Sequence, residues 1–405
     1  MTKRLKAIIL SVSLAVAAFA VMGGLNVRAA GISPKNNEGA YRQIGVYSEV
    51  LSRIRSEYVE EPNLGLVTNG ALHGLLESLD PDSSYLNADE YKVYKSHKSD
   101  GKGDIGATVS KPFGYAAVIS VIPGGPADKA QIHNGDIIEA IDGKSTREMS
   151  LAEVHNLITG EPGSNVNFSI VRARRAEPQK ITVTRAVVSV PASSEKMMEA
   201  NVGYIKVFAF NKGKSQEIAS RIRSLEHEGA KKLILDLRNV SSGEPAEGIA
   251  TANLFLSKGT ITSLSGQKYK REDFSADSQK AITSLPLVVL VNRGTAGPAE
   301  IVAAAILDNT RGDVLGEKTF GEGSVQKVIE MPDGAALILS VAKYHAPSGK
   351  SIQDDAVTPN ITVAQDSDFG IDDDETTPQT PETNQQNAPD EQLRRAIEVL
   401  KNRPS

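Results

Sequence analysis

The chain has 405 residues, 40% hydrophobic and 23% charged, with 34 Gly and 19 Pro, which excludes a fibrous, collagen-like or wholly disordered protein. A formal charge of −5 argues against a globally basic nucleic-acid binder. There is no cysteine, so disulfides, thiol nucleophiles and cysteine-ligated metals are excluded; the six histidines form no i, i+3 or i+4 pair, which leaves only a metal site assembled in space.

At roughly 100–200 residues per domain, two or three domains fit this length. Residues 1–30 read as an export segment. Lys3, Arg4 and Lys6 form a basic start, Ala7 to Leu25 is apolar apart from Ser11 and Ser13, and Val27-Arg28-Ala29 offers small residues for cleavage. The apolar run, residues 7–25, is also long enough to be retained as a membrane anchor. Either outcome places the bulk of the protein outside the cytoplasm, in the periplasm or an equivalent compartment, with the membrane touched only through this segment.

Residues 31–100 are expected to be helical, with apolar spacing in Val50, Leu51 and Ile54 and again in Leu72, Leu75 and Leu76. Residues 101–186 form a β-rich module. It alternates through Ala117-Val118-Ile119 and Ile137–Ile141, and turns break it at Pro123–Pro126, Asn134-Gly135-Asp136 and Asp142-Gly143. A short helix is expected from Ser150 to Thr159.

Residues 187–365 alternate strand and helix: strand 202–210, helix 215–227, strand 232–237, helix 249–256, strand 285–291 and helix 298–308. The order implies an α/β sheet whose sites lie at strand C-termini. Residues 366–390 carry eight acids and no Lys or Arg, and read as a disordered linker. Without those acids the rest of the chain carries about +3, so the acidity is local. In residues 391–405, Leu393, Ile397 and Leu400 mark an amphipathic helix. It is expected to dock on its own chain or on a second copy; a solvated tail helix is the alternative.

The stretch from Leu287 through Ile301 reads as strand, sharp turn, helix. Gly297 stands at the N-cap, Pro298 at N1 and Glu300 at N3. A side chain at that cap would stand exposed beside backbone N–H groups and a helix dipole, the geometry of a nucleophile elbow. Further markers are Leu79–Tyr85, Gly135–Ile138, Gly203-Tyr204-Ile205, Leu235–Asn239, Gly316–Gly321, Ser324-Val325-Gln326 and Pro347–Gln353. Together, in this order from Tyr41 to Pro359, they resemble the C-terminal processing peptidases, or tail-specific proteases, exported serine peptidases with an inserted PDZ domain. The resemblance implies an α/β (α+β multidomain) fold: a β-α-β peptidase core, an inserted PDZ β-domain and an N-terminal helical segment.

It also implies a serine nucleophile, a lysine base 25 residues later and an assisting glutamine. These positions fall on Gly297, Glu322 and Gln326. A glycine carries no nucleophile, and a glutamate cannot replace a desolvated, neutral amine. An Asn-Pro-Gly-Gly turn that helps form the oxyanion hole falls on Val240-Ser241-Ser242-Gly243, where only Gly243 remains. The expectation is therefore a pseudopeptidase. Displaced pairs, Thr295–Lys318 or Ser324–Lys318, and water activation by Glu322 are the hydrolytic alternatives; the plain readings are a turn Thr, a loop Ser and a surface Lys, and Glu322 as a solvated or salt-bridged loop acid.

By the same resemblance, Asp104-Ile105-Gly106 is the loop that captures a peptide carboxylate, and Val154, Leu157 and Ile158 line its apolar pocket. Plain core packing, and an ordinary strand start at the loop, are the alternatives. The implied partners are protein C-terminal tails, with an active relative or a second copy as further candidates. A structural subunit with an idle groove is the remaining reading. Neither a cofactor nor a metal is called for.

Overall fold

The computed structural model describes residues 37–97, 102–112, 114–172, 177–353, 355–364 and 390–403. The export segment and nearly all of the acidic linker lie outside the described residues. No helix among the described residues is long and apolar enough to cross a membrane. The chain divides into two compact units, up to Gly70 and from Ala71.

In the first unit, the helix Asn37–Glu57 is held along its surface by Arg53, which pairs with Glu49 and Glu57 one turn away on either side.

The second unit is built on three sheets. The central sheet has six strands in the order 361–362, 313–316, 287–291, 232–236, 202–206 and 194–198. All neighbours are parallel except the last pair. Strands Lys232–Asp236 and Leu287–Val291 are buried at every residue, because both faces of the sheet are covered. On one face lie the helices Lys214–His227, Pro245–Phe255 and Pro298–Asp308, whose Ile218, Ile222, Ala252 and Val302 fill the main core. On the other face lies the C-terminal helix Glu391–Lys401, with Ala396, Ile397 and Leu400 against Val202, Ile234, Val288 and Leu315. The helix therefore docks on its own chain.

The second sheet is antiparallel and was not expected from the sequence pattern. Strand Ala336–His345 pairs with Ser84–Leu86, Thr260–Ser265 and Ser324–Glu330, and Thr260–Ser265 pairs in turn with Glu272–Ser275. The all-helical expectation for residues 31–100 is corrected here: Ser84–Leu86 is a strand, fixed by pairing with residues 336–338 rather than by local propensity.

The third sheet is the inserted module, with strands ordered 107–110, 116–121, 137–141, 165–171 and 179–184. Its helix Leu151–Ile158 begins at a capping box between Ser150 and Glu153. Bridges Gly103–Gly160 and Asp104–Ala186 tie its ends together. Ile105, Val118, Ile138, Val154, Phe168 and Ile170 are among its core residues.

A buried ionic cluster locks the C-terminal helix to the central sheet. The Asp236 carboxylate is buried and accepts from Tyr204 Oη at 2.8 Å, Lys206 Nζ at 3.1 Å and Arg238 Nη2 at 2.6 Å. Arg238 then donates from both Nη atoms to Asp390 at 2.9 and 2.8 Å. Asp390 is also the helix N-cap, accepting from Leu393 N at 3.0 Å. Burial alone would raise the Asp236 pKa, but the charges of Lys206 and Arg238 and the hydrogen bonds of Arg238 hold it well below the usual carboxylate range.

Arg238→Ala leaves that carboxylate buried and underpaired, so it is expected to cost about 3–5 kcal/mol. Asp390→Ala loses a cap and a half-exposed ion pair and is expected to cost only about 1 kcal/mol. Urea unfolding of the two variants checks the ranking. Because the folded pKa of Asp236 is depressed, its contribution is present above the ordinary carboxylate pKa of about 4 and is lost progressively as pH falls below it.

Candidate active site

Strand Leu287–Val291 ends at Asn292, and the chain turns sharply before entering helix Pro298–Asp308. Asn292 Oδ1 accepts from Gly294 N at 3.1 Å and from Asn239 N at 2.9 Å, which ties this turn to the one after strand Lys232–Asp236. Gly297 occupies the N-cap with φ 57° and ψ −121°, a left-handed conformation that side chains other than glycine's enter only with strain. A Cβ placed there would meet nothing nearer than Ser241 O at 3.8 Å, so the position has room for a side chain.

Gly297, Gly243, Ser241, Glu322, Ser324 and Tyr344 are among the residues lining one small cavity of about 110 Å³. The positions expected for nucleophile, base and oxyanion turn are thus brought together. Gly243 has φ +127°, and a Cβ on it would lie 2.4 Å from the backbone of Phe210, so only glycine fits. Phe210 N donates to Ser242 O and Glu244 N to Phe210 O, both at 2.8 Å, which fixes the turn, while Gly243 N has no partner among the described residues. That N–H is free to serve as a donor at the cavity.

Glu300 organises the site from beneath. Its side chain is fully buried, and its carboxylate accepts from Gly297 N at 3.1 Å, Gly321 N at 2.8 Å, Glu322 N at 2.8 Å and the Thr319 hydroxyl. One carboxylate therefore holds both the elbow and the loop carrying Glu322. Burial raises its pKa to about 8, against the opposing pull of the Thr319 hydroxyl and of the N–H groups of Glu322 and Gly321. The sequence pattern placed Glu300 as an N3 capping residue; its hold on residues 319–322 required the fold.

Glu322 itself is half-buried. Burial pushes its pKa up to about 7, and the nearby charge of Asp82 adds to the rise. Gln326 is exposed and lies on the rim, donating from Nε2 to Ser324 Oγ at 2.6 Å. Ser324 Oγ donates to Asp82 Oδ2 at 2.7 Å. Asp82 sits in the Leu79–Tyr85 motif, and only the fold brings it to Ser324 at the cavity.

The Thr295–Lys318 pair is not assembled. Thr295 is fully buried, and its hydroxyl donates to Leu237 O at 2.9 Å and accepts from Asn292 N at 3.0 Å. Lys318 is exposed. Ser324 faces Asp82 rather than Lys318.

The inserted module meets the site directly. Ile119 O lies 2.9 Å from where a Cβ on Gly294 would sit, and the hydroxyls of Ser120 and Ser241 are hydrogen-bonded to each other. In the module's groove region, Val154 and Ile158 are buried core residues and Leu157 packs half-buried against them. Asp104 N donates to Ala186 O at 2.8 Å, Gly106 N donates to Asp104 Oδ1 at 2.6 Å, and Ile105 is fully buried.

The peptidase family S41 profile matches residues 201–363, and a PDZ domain profile matches residues 118–172. A carboxy-terminal-processing protease of Bartonella bacilliformis is 32% identical over 355 residues, covering 86% of this chain and 82% of the relative. The carboxy-terminal processing protease CtpA of Bacillus subtilis is 33% identical over 316 residues, covering 78% and 67%. Among solved structures, a photosystem II D1 C-terminal processing protease is similar with a TM-score of 0.67 and 27% identity, over 78% of this chain and 86% of that one.

The raised pKa of Glu322 has a stability consequence. Between about pH 4.5, the ordinary value, and pH 7 the folded state binds the proton more tightly than the unfolded state, so folding weakens as pH rises through that window. Glu322→Gln is expected to stabilise the protein by about 1–2 kcal/mol at pH 8 and to change it little at pH 4.5. Denaturant unfolding at the two pH values reads the difference directly.

Proposed function

This chain belongs to the C-terminal processing peptidases of family S41 that carry a PDZ domain, and from that premise we propose that it is a binding member of the family rather than a hydrolytic one. The observation that carries the reading is Gly297 at the elbow, across the cavity from Glu322: neither an alkoxide nor an amine base is available where acyl transfer would begin. What the chain retains is the PDZ module, whose edge strand Ala107–Ser110 can accept an extended polypeptide tail as an added strand. On this reading the protein works outside the cytoplasm, holding tails and presenting them to, or withholding them from, an active relative or a second copy. The cavity stays small and its floor stays rigid because Glu300 anchors both loops, so loss of chemistry has not required loss of the frame.

A second reading rests on Ser324, which borders the same cavity and is hydrogen-bonded to Asp82. A carboxylate partner of that kind can accept a proton, so hydrolysis through Ser324 is the outcome that the test must separate.

The test is a paired cleavage assay on an unstructured protein with an apolar C-terminus. The wild type is expected to be inert. Gly297→Ser combined with Glu322→Lys is expected to gain measurable cleavage, because the elbow has room for a side chain and the register of 25 residues is intact. Cleavage by the wild type that persists through independent purifications and disappears in Ser324→Ala would overturn the binding reading in favour of the second.

A further inference from the structure

Strand addition at a PDZ edge places the end of the incoming chain at the loop before the edge strand, here Asp104-Ile105-Gly106. A loop that captures a carboxylate must offer free backbone N–H groups and no competing negative charge. This one offers little of either. Asp104 N is spent on Ala186 O at 2.8 Å. Gly106 N is spent on the chain's own Asp104 Oδ1 at 2.6 Å. Of the three loop N–H groups, only that of Ile105 lacks a partner among the described residues, and Ile105 is itself fully buried.

The second Asp104 oxygen is held as well, by the Thr159 hydroxyl at 3.3 Å, just beyond the end of the helix Leu151–Ile158 that carries Val154 and Leu157. Both oxygens of the Asp104 side chain are therefore held, one by the loop itself and one by the residue that follows the helix. Burial lowers the pKa of His155 on that helix, although the charge of Asp104 pulls the other way. A carboxylate already occupies the place where a ligand's terminal carboxylate would bind, and a second one would meet its charge in a partly desolvated site.

We infer that Asp104 sets the specificity of this module against free α-carboxylates, so that it takes internal stretches of extended polypeptide, with an apolar side chain toward Leu157, rather than chain termini. The inference rests on the binding reading above and narrows its ligand. Tails are then held by an inner segment, with their final residues running past the loop.

The experiment uses one ten-residue extended peptide ending in an apolar residue, made as the free acid and as the C-terminal amide. Each is titrated by fluorescence anisotropy onto the full chain as wild type, Asp104→Ala and Asp104→Asn. The wild type is expected to bind the amide at least tenfold more tightly than the acid. Asp104→Ala frees Gly106 N and removes the charge, so the acid is expected to gain tenfold or more and to equal or surpass the amide. Asp104→Asn keeps an acceptor for Gly106 N without the charge, so the loop stays built while most of the discrimination disappears. A wild type that prefers the acid, or an acid-to-amide ratio unchanged in both variants, overturns the inference and leaves the binding reading standing. No binding of either peptide to any of the three chains overturns the binding reading and the inference with it.

Discussion

Glu300 gathers N–H groups from Gly297, Gly321 and Glu322 and a hydroxyl from Thr319, all onto one fully buried carboxylate. Two loops that are far apart in sequence are thereby held at fixed separation, and the cavity between them takes its shape from that separation. Burying a carboxyl group is costly unless its acceptor sites are filled, and here they are filled by backbone donors that would otherwise be orphaned at a helix start and in a turn. The arrangement stabilises itself from both ends: the loops satisfy the acid, and the acid satisfies the loops. It uses only backbone atoms, and no side-chain atom, of the residues expected to do chemistry. That independence explains how the frame of a peptidase site persists around a glycine and a glutamate.

A second ionic centre, on the opposite side of the sheet, has a different task. Asp236, Arg238, Lys206 and Tyr204 form a closed set behind strand Lys232–Asp236, and Arg238 extends it to Asp390. Ala396, Ile397 and Leu400 then cover the apolar face formed by Val202, Ile234, Val288 and Leu315. The same strand leads into the turn that bears Gly243, so a stable rear face supports that turn. Packing on one face and turn geometry at the strand end are parts of one mechanical unit.

Much of this was legible in the sequence because the informative signals are local. The apolar runs at 232–236 and 287–291, and the Gly-Pro-Ala-Glu entry to helix Pro298–Asp308, specify strands and a capped helix whatever surrounds them. The antiparallel sheet was hidden because its pairings are not local. Ser84–Leu86 is three residues long and pairs with residues 336–338, and Thr260–Ser265 has Thr or Ser at four of its six positions, which reads as a loop until a partner strand covers it. The C-terminal helix announced its apolar face but not its target, since the partner of Asp390 lies at Arg238. Glu300 could be placed at N3 but not as a tie to residues 319–322, because a glutamate carries no sequence mark of full burial. The motif markers identified the family. They could not show that Thr295 is consumed by backbone hydrogen bonds or that Asp82 and Ser324 meet.

The backbone at Gly297 bears on what the loss of a nucleophile does to such a scaffold. A residue with φ near +57° and ψ near −121° is strained for any side chain, and peptidases that place a serine at an elbow must hold that strain by the surrounding packing. Glycine relieves that strain where the turn is fixed by Asn292, by Val240 O accepting from Ala296 N, and by Glu300. The elbow is then more stable than its catalytic counterpart, and nothing in its energetics favours relaxation to another shape. Glu322 acts in the other direction, since its ionisation in a half-buried position opposes folding at neutral pH. The two substitutions together leave a site that is relaxed at the elbow and electrostatically tense across the cavity. Acyl transfer calls for an activated nucleophile and a neutral base, and a relaxed glycine beside an acid supplies neither.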